Sequence, residues 1–216
     1  MKKLFAALAF ATLISNFPLS AESPAPVITN AHSLFRKVIL DADKEVNGQA
    51  EDTLIDPMEL AVAADGRVFY AERAGVVKMW NPKTKNVEVV GKLNVFTNLE
   101  DGLLGITLDP NFLKNDWIYL YHSLPETGAD ANGQKVGTNR ISRFTLKKGS
   151  LDLSSEKPLV DIRTQREQCC HSGGSLAFDS AGNLYASTGD NTHPHEDSNG
   201  YAPLDRRPGR MPWNAE

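Results

Sequence analysis

The residues that could do chemistry gather around His171. It is preceded by Cys169 and Cys170, the two cysteines of the chain, and Asp190 follows after a predicted strand, tight turn and second strand. Because a hairpin returns the chain to the sheet edge where it began, we expect His171 and Asp190 to lie at one rim. Asp190 would then accept the Nδ1–H of the imidazole and leave Nε2 as a general base. The alternative is a surface histidine beside an ordinary turn aspartate.

The neighbours of His171 support two further interpretations. Gly173 and Gly174 would leave backbone that a flat ligand can approach closely. Adjacent cysteines have Cα atoms about 3.8 Å apart, below the usual disulfide range, so a bridge between Cys169 and Cys170 would be strained. Strain of this kind is typically kept at functional sites, and the alternative is a pair of reduced, buried cysteines.

The N-terminus predicts export. A pair of lysines is followed by an apolar run from Leu4 to Ile14 and by small residues up to Ala21. This is the form of a secretory signal peptide, and the run is too short to span a bilayer. We therefore expect a signal peptide over residues 1–21, a linker over 22–32, and a periplasmic or secreted protein without a stable membrane span.

The composition limits the partners. The chain has 216 residues, a net charge of −4 and 41% hydrophobic residues, which is ordinary for a globular protein. Such mild acidity gives no electrostatic case for binding nucleic acid or an anionic membrane, and we expect neither as a partner.

The elements that must position the histidine are predicted β-strands arranged in a repeat. Each of three stretches contains an apolar strand, a tight turn and an aromatic strand, and they begin at Met58, Gly105 and Ser175. The β-rich segments VVKMW, VEVV, NRISRFTL and PLVDI bring the number to about four strands per unit. The turns share their chemistry at Asp65-Gly66, Asn115-Asp116 and Ala181-Gly182. This is the pattern of a β-propeller blade, and a β-sandwich is the alternative.

The chain is short for a closed propeller. Closed propellers have roughly four to eight blades, whereas residues 33–216 provide about the first three. We therefore expect an all-β fold in which residues 33–216 form the N-terminal portion of a propeller, and a fragment that is inactive on its own. Residues 33–40 are predicted to form a closing strand.

Three motifs, in this order, resemble the glucose/sorbosone dehydrogenase family. They are EDGLLGITLDPNF, NRISRFTL and HSGGSLAFDSAGNLYASTGDN, which begin at Glu100, Asn139 and His171. The resemblance runs from about Leu54 to the end of the chain. It implies a six-bladed propeller and a soluble aldose dehydrogenase that uses pyrroloquinoline quinone (PQQ).

The resemblance also implies roles for single residues. His171 is expected to take the proton of the sugar C1 hydroxyl while hydride passes to PQQ, and Asp190 is expected to orient it. Glu100 falls where family members carry a polar substrate contact, often Gln, so the sugar preference stays open. An acidic residue precedes the histidine in the best-known glucose oxidisers, and here a bridged Cys169–Cys170 pair would form a stiff apolar floor instead.

The predicted function is therefore oxidation of the C1 hydroxyl of an aldose to a lactone, with PQQ and an electron acceptor as partners. The family's PQQ-binding cations and calcium ligands are expected beyond residue 216, so no residue of this chain is assigned to cofactor or metal. Two alternatives stay open. One is a calcium-dependent propeller lactonase or other hydrolase, and the other is a non-catalytic propeller that binds carbohydrate or protein.

Overall fold

The computed structural model describes residues 35–42, 44–46, 49–52, 54–131, 133, 135–166 and 172–189. The chain divides into two compact units, Met1–Val38 and Ile39–Glu216. Of the first unit, residues 35–38 are described, and they form no helix or strand. The predicted signal peptide and linker lie outside the described residues and stay predictions.

In the described part of the second unit, all regular secondary structure is β-strand except for one single-turn helix. In chain order its elements are β1 Lys44–Val46, β2 Gln49–Asp52, β3 Pro57–Val62, β4 Val68–Glu72, β5 Val76–Trp80, β6 Val87–Lys92, β7 Leu103–Leu108, α1 Phe112–Asn115, β8 Trp117–Ser123, β9 Gly128–Ala129, β10 Lys135–Lys147, β11 Ser150–Gln165, β12 Gly173–Phe178 and β13 Leu184–Thr188.

The strands form antiparallel sheets in chain order. β3-β4-β5-β6 is a four-stranded sheet, and β7-β8-β10-β11 is the next, with the short β9 added on β10. Two hairpins, β1-β2 and β12-β13, complete the set. The four segments predicted as strands between the repeats lie in β5, β6, β10 and β11. The all-β prediction is thus confirmed for the described residues, and the number of blades stays a prediction.

The repeat predicted from the sequence is visible in the strand register. The aromatic residues Phe69, Tyr119 and Tyr185 occupy equivalent positions, since each lies in the second strand of a hairpin and pairs with the first strand of that hairpin. The turns before them each contain a residue with positive φ, namely Gly66 at 87°, Asp116 at 55° and Gly182 at 85°. Glycine adopts this left-handed conformation without strain, which explains the shared turn chemistry.

Neighbouring sheets pack face to face around two apolar clusters. The larger cluster joins the β3–β6 sheet to the β7–β11 sheet, and in it the rings of Phe69 and Phe112 meet edge to face at 5.3 Å. The smaller cluster joins the β7–β11 sheet to the β12-β13 hairpin, where Tyr119 and Phe178 pack at 5.0 Å. These contacts hold the first strands of successive units, β3, β7 and β12, beside one another.

The closing strand predicted for residues 33–40 is absent from the described part of that segment. Residues 35–42 form no regular secondary structure, and Phe35, Val38 and Ile39 are exposed. The apolar residues of this segment therefore bury no alternating face, which a strand in a sheet requires. The prediction was wrong for residues 35–40.

Candidate active site

The sheets have two rims of different chemistry. At one rim the chain enters β3, β7 and β12 and leaves β4, β8 and β13; we call it the loop rim, and it includes Arg73, residues 97–102, Ser123, Ser172 and Gly189. At the opposite rim lie the repeated turns, residues 63–67, 109–116 and 179–183, which we call the turn rim. His171 and Asp190, the residues predicted to be catalytic, are the sequence neighbours of Ser172 and Gly189 of the loop rim.

The β12-β13 hairpin brings the neighbours of His171 and Asp190 together. The N–H of Gly189 donates to the carbonyl of Ser172 at 3.2 Å, and Gly173 pairs with Thr188. His171 directly precedes Ser172, and Asp190 directly follows Gly189. His171, Asp190, Cys169 and Cys170 themselves lie outside the described residues, so their predicted roles stay predictions.

Glu100, the predicted substrate contact, lies beside this hairpin. Its carboxylate is exposed, and Oε2 accepts the backbone N–H of Ser172 at 3.4 Å. Glu100 and Ser172 are far apart in sequence, so the structure brings together two of the three motifs on which the family resemblance rests. The exposed carboxylate can accept hydrogen bonds from a polyhydroxylated ligand at this rim.

Asp101, the next residue, is the buried centre of the loop rim. It is 2% exposed, and its carboxylate faces Asn139 Nδ2 at 3.3 Å, Arg166 Nε at 3.6 Å and Ser172 Oγ at 3.4 Å. Burial raises the pKa of the Asp101 carboxyl, and the nearby Arg166 guanidinium and the hydrogen-bond donors oppose that rise. Sequence analysis missed this residue, because Asp-Gly in a loop is ordinarily part of a turn.

Arg166 fills the space between Asp101 and the strand ends. Its guanidinium donates to the carbonyls of Leu124 at 2.7 Å and Glu126 at 2.6 Å, and it lies 3.9 Å from the ring centroid of Phe96. Burial lowers the pKa of Arg166, and Asp101 opposes that shift. The sequence signal for Arg166 is its place at the end of β11, immediately before the segment with the cysteines.

Arg73 fixes the loop that carries Glu100. Its side chain donates to the carbonyls of Thr97 at 2.8 Å and Asp101 at 3.3 Å, and to the carboxylate of Asp56 at 3.1 and 3.3 Å. Its own carbonyl accepts the N–H of Leu103 at 2.9 Å. The loop between the two sheets is therefore held from both sides, which limits the positions that Glu100 can take.

The glycines after His171 have a packing role that the sequence analysis did not predict. A Cβ on Gly174, which has a φ of 124°, would lie 2.6 Å from the Cβ of Leu104, and a Cβ on Gly105 would lie 1.9 Å from the carbonyl oxygen of Gly174. A Cβ on Gly173 would lie 2.5 Å from the nitrogen of Gly189. These glycines allow β12 to approach β7 and β13 closely, and the predicted approach of a flat ligand stays a prediction.

Glu59 joins the first strands of all three units, and its only signal in the sequence is a carboxylate within an apolar strand. Its Oε2 accepts the N–H groups of Ile106 at 2.8 Å and Leu176 at 3.3 Å. Its Oε1 accepts the hydroxyl of Ser175 at 2.5 Å. Glu59 thereby connects β3 to β7 and β12 and fixes the spacing beneath the loop rim.

Within the ranges that the structure describes, no cluster of three or more His, Cys, Asp or Glu side chains is placed to hold a metal ion. The same ranges contain no helix that is long and apolar enough to cross a membrane.

Comparison with known proteins agrees with the three motifs. The profile of the family described as glucose/sorbosone dehydrogenase matches residues 54–204. Among solved structures, an oxidoreductase of Thermus thermophilus, described as a glucose dehydrogenase, is 30% identical with a TM-score of 0.51 and covers 63% of this chain. The apo-form of the soluble aldose sugar dehydrogenase of Escherichia coli is 22% identical, with a TM-score of 0.52 and 64% coverage.

The PQQ-bound form of an aldose sugar dehydrogenase from Streptomyces coelicolor is 24% identical, with a TM-score of 0.47 and 69% coverage of this chain. The match spans 38% of the Thermus protein, 39% of the Escherichia coli protein and 42% of the Streptomyces protein. The present chain therefore corresponds to about two fifths of the length of these structures.

Proposed function

Because the chain belongs to the glucose/sorbosone dehydrogenase family, we propose that it provides the base and part of the sugar site of an exported, PQQ-dependent aldose dehydrogenase. The proposed reaction oxidises the C1 hydroxyl of an aldose to a lactone, with PQQ as the hydride acceptor. The observation that carries the proposal is the hydrogen bond from Gly189 to the Ser172 carbonyl, because it brings the residue after His171 and the residue before Asp190 to the same rim.

His171 is the proposed general base. An ordinary histidine has a pKa near 6.5, so its imidazole is mostly neutral at pH 7 and can accept the proton of the C1 hydroxyl at Nε2. Asp190 is proposed to accept the Nδ1–H, which fixes the tautomer and stabilises the imidazolium after proton transfer. The register of the hairpin supports this pairing, since Ser172 and Gly189 are already hydrogen-bonded.

Glu100 is the proposed sugar contact. Its exposed carboxylate lies next to Ser172, and the loop that carries it is fixed by Arg73. A carboxylate accepts hydrogen bonds and donates none, so Glu100 is suited to a sugar hydroxyl that donates. Where family members carry Gln, the contact can also donate, so this position is expected to influence which aldose binds.

The described part of the rim does not fit the carboxylates of PQQ. Arg73 already donates to Asp56, Thr97 and Asp101, and Arg166 donates to backbone carbonyls and faces Asp101. Cations for the cofactor must therefore come from other residues, and calcium ligands are likewise expected elsewhere. The contribution of the described residues is to the sugar side of the reaction.

The cysteine pair and the route of export complete the proposal. Cys169 and Cys170 directly precede His171, and a bridge between them would give the base a stiff apolar neighbour. Thiol titration of the unreduced protein tests this idea, because two free thiols would contradict a bridge. Export follows from the predicted signal peptide over residues 1–21, and recovery of the mature chain from periplasm or medium, cleaved after Ala21, is the expected result.

The function is tested by an activity assay of the full-length protein with PQQ, calcium, an aldose and a redox dye. We expect dye reduction that requires both PQQ and the aldose, with one lactone formed per pair of electrons. Lactone hydrolysis with calcium alone would instead indicate a propeller lactonase. A protein that binds sugar in the absence of PQQ, and that neither hydrolyses lactones nor reduces the dye, would be a non-catalytic binding protein. Either of these two results would overturn the proposal.

A further inference from the structure

One buried carboxylate contacts both ends of the chain segment that carries the proposed base. Segment 167–171 begins after Arg166 and ends before Ser172. Asp101 Oδ2 lies 3.6 Å from Nε of Arg166, and Asp101 Oδ1 lies 3.4 Å from the hydroxyl of Ser172. Because the segment is covalently continuous with both residues, its entry and its exit are tied to the same side chain.

Asp101 is a fixed anchor. Asn139 donates to Oδ1 at 3.3 Å, and Arg73 donates to the Asp101 carbonyl at 3.3 Å. The adjacent Gly102 exchanges two hydrogen bonds with Ser123, from the glycine N–H to the hydroxyl at 3.1 Å and from the serine N–H to the carbonyl at 2.8 Å. The carboxylate therefore has a defined position relative to the second sheet.

Arg166 is held just as firmly from the other side. Its side chain is buried and uses two nitrogens for four acceptors, the carbonyls of Leu124, Glu126 and Thr138 and the hydroxyl of Thr127. Nε has Asp101 as its charged neighbour. Loss of the carboxylate beside a buried guanidinium is strongly destabilising, so Asp101 stabilises Arg166 in this position, where the Arg166 backbone N–H also donates to the Lys135 carbonyl at 2.8 Å.

We propose that Asp101 is a positioning residue that ties the entry and the exit of segment 167–171 and thereby sets the place of His171. The role of His171 as base rests on the proposed function, whereas the tie itself is a property of Asp101, Arg166 and Ser172. Asp101 touches neither sugar nor cofactor in this account and acts through the two residues that it holds.

The tie is tested by hydrogen exchange of the peptide that spans residues 167–171 in Asp101→Asn, Asp101→Ala and Ser172→Ala variants. Asp109→Asn is the matched control, because it removes a carboxylate with several hydrogen bonds from the opposite rim. We expect exchange to be about tenfold faster in Asp101→Asn and faster still in Asp101→Ala, because the loss of a hydrogen-bonded charge has about this effect. Ser172→Ala should have a smaller effect, and the control none.

Kinetics provide a second readout with the PQQ-loaded protein. A displaced base lowers turnover while leaving the sugar contacts of Glu100 in place, so kcat should fall about tenfold in Asp101→Asn with KM for the aldose nearly unchanged. Asp109→Asn should retain the kcat of the wild type. An increase in KM of the Asp101→Asn variant with unchanged kcat would contradict a positioning role.

The two proposals fail separately. A wild type without aldose oxidation would contradict the proposed function, and the exchange experiment would still decide the tie. Three exchange results would overturn the tie: an unprotected segment in the wild type, unchanged exchange in Asp101→Asn, or equal acceleration in Asp109→Asn, which would indicate global destabilisation. If Asp101→Ala does not fold, Asp101→Asn and Ser172→Ala decide the question.

Discussion

The two rims use aspartate in opposite ways. At the turn rim, Asp109 and Asp179 accept hydrogen bonds from groups within ten residues of themselves, and these bonds lower the pKa of both carboxyls against the effect of burial. At the loop rim, Asp101 contacts Asn139, Arg166 and Ser172, which are distant in sequence, and burial raises its pKa. The turn aspartates stabilise local loops, whereas Asp101 joins separate parts of the chain.

The repeat itself contains a natural control for the turn rim. Asp109 accepts the hydroxyl of Tyr119 at 2.9 Å, and Asp179 accepts that of Tyr185 at 3.1 Å. In the first unit the corresponding pair is Ala63 and Phe69, which has neither carboxylate nor hydroxyl and is buried. The carboxylate and the hydroxyl are thus gained or lost together, as expected of two groups that satisfy each other.

The largest expected difference between the rims is catalytic, and one hairpin allows a matched test. Asp179 lies in the turn of the β12-β13 hairpin, and Asp190 follows Gly189 in sequence after the end of β13. Asp190→Asn should lower kcat for aldose oxidation about a hundredfold or more, because a neutral amide replaces the carboxylate that fixes the tautomer and stabilises the imidazolium. Asp179→Asn should change kcat less than about twofold. Similar losses in both variants, measured by steady-state kinetics, would remove the distinction between the rims.

The next largest expected effect is that His122 and the turn-rim aspartates change the free energy of unfolding in different pH ranges. Burial lowers the pKa of His122 to about 4, so the unfolded chain takes up the proton first as the pH falls. The stability that depends on a neutral His122 is therefore complete above pH 6.5 and is lost as the pH falls from there through about 4. At 1.36 kcal/mol per pKa unit this amounts to about 3 kcal/mol.

His122→Gln should flatten the loss over this window in urea unfolding measured from pH 7 to pH 4. The turn aspartates act in a lower window, because their lowered pKa means that their contribution is lost only as the pH falls below about 4. An unchanged pH profile in His122→Gln would show that His122 is not the group responsible. His122 lies buried in β8, with its Nε2 3.3 Å from the hydroxyl of Ser142.

A smaller effect is expected from the Asp109–Tyr119 pair. Asp109→Ala should lower the free energy of unfolding by about 1 to 2 kcal/mol, because it leaves the Tyr119 hydroxyl and nearby N–H groups without their acceptor. Tyr119→Phe in the Asp109→Ala background should cost less than Tyr119→Phe alone, as the Ala63–Phe69 pair suggests. A double-mutant cycle with strictly additive effects would contradict the coupling of the two side chains.

The smallest effect is expected at Glu100. Glu100→Gln replaces an acceptor by a side chain that both accepts and donates, so KM should change by about fivefold for some aldoses, with kcat nearly unchanged. A panel of aldoses with different hydroxyl configurations measures the change. A uniform loss of kcat across the panel would place Glu100 in the chemical step rather than in sugar recognition.

The sequence was sufficient for the features that depend on local pattern. The strands, the equivalence of Phe69, Tyr119 and Tyr185, and the left-handed turns follow from alternation and glycine chemistry. The approach of Glu100 to Ser172 could be inferred only from the family resemblance. Asp101, Arg166 and Glu59 could not be found, because their burial and partners depend on how separate sheets pack. The packing role of Gly173 and Gly174 could not be predicted for the same reason.

The central claim is that the loop rim carries the base, and His171→Ala tests it most directly. Turnover of an aldose is measured with PQQ saturating, together with PQQ binding in the same preparation. We expect kcat to fall about a hundredfold or more while PQQ affinity is nearly unchanged, because the variant loses proton abstraction alone. Unchanged kcat in His171→Ala would contradict the account.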